Sequence, residues 1–273
     1  MEINHRVSFH SQEVGVEEAV AHLGIDYEKS PLPGGSNYLG HFDIRESDSR
    51  WAQVAELIRA HELPDFPATT FAVSEVLVAE WLRLMVVFER GYPQPEATWR
   101  KLTYEGGCPK CGVGVRQKAP FQIKAEPKLG KKDFVGLYWT WTTFATPRVF
   151  EAFAGERFTG YERWPVIIRR TGEPAKSVAQ LLVMGETAPG LVTEDLQTET
   201  CPSCGQVKFN AVKRGSIRYR GDALPEGIDL VLSHEWWGSG AFAYQEVFVS
   251  KRAAHLMVER GWQGVVLHPL QLE

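Results

Sequence analysis

The chain's 273 residues, 44% hydrophobic and 23% charged, have the composition of a globular protein built as one large domain or two smaller ones. A formal net charge of -4 gives no general attraction to nucleic acid. No apolar run is long enough for a membrane helix, because Glu75, Glu80 and Arg83 interrupt the nearest, residues 73–88.

In chain order, residues 1–65 read as an N-terminal α/β segment. Val16 to Leu23 has the pattern of a short helix, and Pro31-Leu32-Pro33-Gly34-Gly35 that of a loop. Ser47 or Asp48 can cap a helix running through Ala60. Pro64 and Pro67 are expected to end this unit, leaving residues 66–273 as the main domain. Its first element is expected to be an amphipathic helix from Val73 to about Glu89. Pro93 to Glu96 and the lysine-bearing run from Lys124 to Lys132 read as loops, the latter as a solvated face.

All four cysteines lie in two copies of one knuckle, Cys108-Pro109-Lys110-Cys111-Gly112 and Cys201-Pro202-Ser203-Cys204-Gly205, at 108–112 and 201–205. Two residues between cysteines bring both sulfurs onto one ion, and the glycine that follows can take the left-handed conformation. Four thiolates in two such turns are a tetrahedral zinc set, so Cys108, Cys111, Cys201 and Cys204 are the expected ligands of one structural zinc. A shell of four cysteines is closed, with no position for water or substrate. A redox-active pair would open a helix after a strand, whereas Gly112-Val113-Gly114 and Gly205-Gln206-Val207 favour a turn running into a strand. The polar start, Met1-Glu2-Ile3-Asn4-His5-Arg6, carries no export leader, so reduced thiols in a cytoplasm are expected.

A weak internal repeat follows the knuckles. Thr143-Phe144-Ala145 leads to Thr146 as a helix cap, Pro147, Arg148, Phe158 and Gly160. Val247-Phe248-Val249 leads at one constant spacing to Ser250, Arg252, Trp262 and Gly264. Both passages read as strand, capped helix, turn and strand, the last at Pro165 to Ile168 and Val265 to Leu267. The fold expected is α+β: a mixed or mainly antiparallel sheet with packed helices, stapled by the split four-cysteine site. Two aromatic clusters stand out, Tyr138-Trp139-Thr140-Trp141 and Trp236-Trp237, as core strands or as a binding face.

The knuckle pair resembles the double-CXXCG proteins, a paralogous group of myxobacteria and other bacteria. The segment from Phe134 to Trp141 matches too, as does the pattern from Ile228-Asp229-Leu230 through Phe248-Val249-Ser250 to Gly264-Val265-Val266-Leu267. The likeness covers about residues 100–270; the C-terminal pattern is shared with other immunity families, and the first seventy residues match least. Some members are described as immunity proteins for swarm-inhibition toxins. The resemblance therefore implies a cytoplasmic immunity protein that occludes a cognate toxin domain, with no catalytic residues of its own. Trp236 and Trp237, with Glu235 and the flexible Gly238-Ser239-Gly240, are the candidate anchors for that partner.

A zinc-ribbon module contacting nucleic acid is the alternative, using Lys110, Arg116, Lys118, Lys208, Lys213, Arg214, Arg218 and Arg220 as a basic side. Those cations could equally offset the charge of zinc bound to four thiolates. An enzyme is not expected: His61-Glu62 and His234-Glu235 lack a second histidine, and Gly112-Val113-Gly114 does not continue as a dinucleotide fingerprint.

Overall fold

The computed structural model describes residues 1–194 and 196–273. The chain forms two compact units, Met1–Ala72 with Lys213–Gly215, and Val73–Val212 with Ser216–Glu273. The fold is α+β, with mostly antiparallel and mixed sheets and few helices.

In the first unit, strands Glu28–Pro31, Tyr38–Arg45, Glu2–His10 and Asp65–Thr70 lie in that order in one antiparallel sheet. The period of two along Glu2–His10 sends His5, Val7 and Phe9 inward, and Phe42, Ile44 and the helices Val16–His22 and Trp51–His61 close over them. Gly40 is required beneath the Phe9 ring, which occupies the place of a side chain there. Buried His5 stacks on Trp51 at 4.0 Å and is held between Asp65 and Glu46, each 2.9 Å away. The expected end of this unit at Pro64 and Pro67 is corrected to Ala72. Asp65–Thr70 is the outer strand of the sheet, where a proline's missing N–H need not interrupt the ladder.

The second unit is built on a six-stranded sheet, ordered Thr198–Thr200, Val207–Phe209, Leu230–Trp237, Tyr244–Ser250, Trp81–Val86 and Val265–Pro269. Its pairs are antiparallel except the short parallel contact of Phe209 with Trp237. An antiparallel sheet carries Tyr161–Trp164, Ala179–Val183, Phe144–Ala145 and Phe134–Val135. The long helix expected after Val73 is corrected: the helix is only Val73–Val78, and Trp81–Val86 is an interior strand. Pairing on both edges outweighs local pattern here, with Leu82 and Leu84 in the core. Arg83 on the opposite face is buried, its Nε donating to Glu246 at 2.7 Å.

Helices Pro147–Gly155 and Lys251–Glu259 start after Thr146 and Ser250. The two passages dock on each other in matching ways. Asp229 accepts from Arg252 (2.7 Å) and from the Thr159 N–H (3.0 Å), while Asp133 accepts from Arg148 and from the Gln263 N–H (2.9 Å). Gly160 and Gly264, at φ 88° and 99°, lie where a side chain would run into the carbonyl oxygens of Leu230 and Phe134.

Candidate metal centre

Each cysteine pair sits at the tip of a short hairpin in the second unit. The first knuckle joins Tyr104–Gly106 to Val115–Gln117, and the second joins Thr198–Thr200 to Val207–Phe209. The two turns share one hydrogen-bond pattern. The Gly112 N–H donates to the Cys108 carbonyl (2.8 Å) and the Gly205 N–H to the Cys201 carbonyl (2.9 Å). The Cys108 and Cys201 N–H groups return to the carbonyls of Val113 and Gln206, both at 2.8 Å. The glycines take φ 81° and 73°, as a left-handed turn requires.

The four sulfurs lie within 4.8 Å of one another, with Cys108 to Cys201 at 3.9 Å and Cys111 to Cys204 at 3.7 Å. A regular tetrahedron with metal–sulfur bonds of about 2.3 Å has edges of about 3.8 Å. The donor set and its spacing therefore fit a four-coordinate metal ion. Cys111 and Cys201 are buried among Val113, Trp236 and Ala243, and Cys204 faces outward.

The thiols are electrostatically frustrated. Backbone N–H groups of Cys111 and Lys110 draw Cys108 down to about 6, and that of Ser203, with Cys204's, lowers Cys201. Burial pushes Cys111 upward. Although the Gln206 N–H favours its thiolate, Cys204 is raised to about 12 by desolvation and the sulfurs around it. Cys108 and Cys201 are thus favoured as thiolates, while burial at Cys111 and the crowded sulfurs at Cys204 oppose ionisation; a bound dication is what would let all four ionise.

The candidate partner residues fall elsewhere than expected. Trp236 and Trp237 end a strand instead of projecting from a loop, so they point to opposite faces. Trp237 is wholly buried, its Nε1 donating to Ser233 at 3.2 Å, which corrects its place as a surface anchor. Trp236 is half-buried and packs on the cysteine cluster. Glu235 is engaged within the fold: its carboxylate accepts from the Gly190 and Leu191 N–H groups (2.9 and 3.0 Å) and from the Tyr219 hydroxyl (2.9 Å), and so pins a turn.

The cations named for a nucleic-acid face are partly committed. Lys208 is fully buried, donating to the carbonyls of Gly240 (2.6 Å) and Phe242 (3.3 Å). Arg214, Arg218 and Arg220 pair with Glu46, Glu273 and Asp222. His61 and His234 are exposed.

Beside the cysteines a cleft of about 550 Å³ is lined by strand Ala179–Val183, by Leu230–Trp237 and Tyr244–Ser250, and by residues 139–143. Trp139 and Trp141 on its wall are 51% and 50% exposed. Trp141 stacks on Tyr244 at 4.6 Å with planes 7° apart. Sequence reasoning marked the Tyr138–Trp141 cluster but missed Phe242 and Arg100, which reach this cleft from distant segments.

Among the described residues, no helix is long and apolar enough to cross a membrane. No protein-family model matches the chain, and no curated protein matches it.

Proposed function

We propose that this chain is a binding protein of the immunity type, which neutralises a cognate toxin domain by covering it, on a scaffold stapled by one structural zinc. The observation that supports the reading most is a pairing: a closed four-sulfur centre next to half-exposed, stacked indoles. The first fixes a scaffold and offers no open position; the second is the chemistry of an interface anchor. Cys108, Cys111, Cys201 and Cys204 would hold the zinc, which would cross-link two hairpins distant in the chain. The same reading assigns the protein to a cytoplasm, where the thiols stay reduced. The reciprocal docking through Asp133 and Asp229 supports an internal repeat as the origin of the second unit.

The deciding experiment is co-purification with the product of the adjacent gene, followed by viability of cells expressing that neighbour with and without this chain. A tight complex and rescue are expected. A neighbour that is neither toxic nor bound would refute the reading.

A further inference from the structure

The wall of the cleft holds its aromatic groups in an unusual state. Trp139 is the one aromatic residue in the left-handed region among the described residues, at φ 67°. That backbone is strained for a bulky side chain. Its indole is nevertheless half exposed, resting on Tyr92 at 4.4 Å. Trp141 is braced between Tyr244 and Phe242 and keeps half its surface open.

Charge at the cleft is one-sided. Its lining includes Arg100 and Arg116 and no Asp or Glu, although the chain as a whole is acidic. The Arg100 guanidinium lies 4.9 Å over the Phe242 ring and donates to the Ala241 carbonyl at 2.8 Å. The Arg116 side chain is exposed and makes no salt bridge or side-chain hydrogen bond among the described residues, with Glu105 standing opposite it in the hairpin. Aromatic walls beside guanidinium groups that form no salt bridge complement a planar apolar group with a negative charge next to it.

We propose that this cleft is the partner-contacting surface and takes an acidic segment of the partner protein, in which an aromatic side chain stands beside an Asp or Glu. The proposal rests on the binding reading above and specifies its contact chemistry. The aromatic side chain lies against Trp139 and Trp141, and the carboxylate meets Arg116, with Arg100 held ready by Phe242 and Ala241. Neither Trp237 nor Glu235 takes part.

The test uses the zinc-loaded full chain and two probes: anilinonaphthalene sulfonate, which is aromatic and anionic, and its uncharged analogue phenyl-naphthylamine. One equivalent of the sulfonate is expected to bind, with energy transfer from tryptophan, about tenfold tighter than the analogue. Arg116→Glu and Trp141→Ala each weaken it about tenfold, Arg116→Lys less than about threefold, and Phe66→Ser, in the first unit, not at all. Arg116 is exposed and makes no salt bridge among the described residues, so its variants keep the test valid even where Trp141→Ala fails to fold. In the second arm the neighbouring gene's product displaces the probe, and Arg116→Glu lowers its affinity in parallel. Equal binding of both probes, or indifference to the Arg116 variants, overturns the assigned chemistry. A complex that leaves the probe in place overturns the contact surface while the binding reading stands. An intact probe site with no complex at all removes the partner, and the occupant is then a small aromatic anion.

Discussion

Replacing Cys201 and Cys204 together by serine removes half the proposed ligand set and leaves the first hairpin untouched, so the loss measures what the proposed cross-link contributes. Cys108 and Cys201 are 93 positions apart. The smallest loop an ion would close between the two knuckles, from Cys111 to Cys201, has roughly 90 residues, for which the chain-entropy relation gives about 4.6 kcal/mol. For a folded unit of this size, each kcal/mol moves the midpoint by about 2–4 °C, so the second unit should melt roughly 10–20 °C lower. The assay is calorimetry of wild type and variant, each with and without a zinc chelator, beside a metal count per chain. Wild type should hold one zinc and fall to the variant's midpoint on chelation, whereas the variant should ignore the chelator. A wild type that holds zinc yet melts within about 2 °C of the variant would refute the staple, since the hairpins would then be holding themselves.

Trp237→Ala should cost about 3–5 kcal/mol in denaturant unfolding, because a fully buried indole leaves a cavity, whereas half-buried Trp236 should cost clearly less; equal losses would contradict the strand placement. Gly160→Ala and Gly264→Ala should each destabilise by about 2 kcal/mol or more, since the left-handed backbone and the facing carbonyl oxygens both resist a side chain; a neutral result in urea melts would overturn that docking. His268 gives a pH dependence with a defined sign. Burial and the nearby Arg83 hold its imidazole neutral, down to about 4, whereas an unfolded imidazole takes its proton near 6.5. The unfolded state thus binds more protons between those values, so stability should fall as pH drops through that window. His268→Gln should remove that part of the slope, and an unchanged profile would count against it.

The cysteine centre was legible because ligation depends on spacing within a turn, and both turns carry the same glycine and the same N–H pattern. The helix starts at Thr146 and Ser250 were legible for a similar local reason, although only the Ser250 hydroxyl accepts a capping bond, from the Ala253 N–H. What failed was decided at long range. Trp81–Val86 looks helical until it is flanked by Tyr244–Ser250 and Val265–Pro269, which arrive some 160 residues later and pair with both edges. Trp236 and Trp237 looked like one projecting pair, and only the strand's alternation separates a core indole from one against the cysteines. The cleft had no linear signature, since Arg100, Trp141 and Phe242 meet only after the sheets are assembled.

The position of the proposed staple follows from how little its two hairpins can do alone. Each has strands of three residues, and isolated two-stranded ribbons are marginal in water. The hairpin of Val207–Phe209 joins the large sheet through one paired position, Phe209 with Trp237. A shared ion would turn two weak ribbons into one cross-braced edge. The loop at residues 238–243 hangs from both. Arg100 fills the space where Gly112 lacks a side chain and grips Ala241 and Phe242, while buried Lys208 on the second hairpin holds the carbonyls of Gly240 and Phe242. Phe242 is therefore placed by Arg100, packed on the first knuckle, and by Lys208, beyond the second, and it forms one wall of the aromatic cleft. Without the cross-link, that wall should lose its order before the long strands part, because its supports are short strands of three residues.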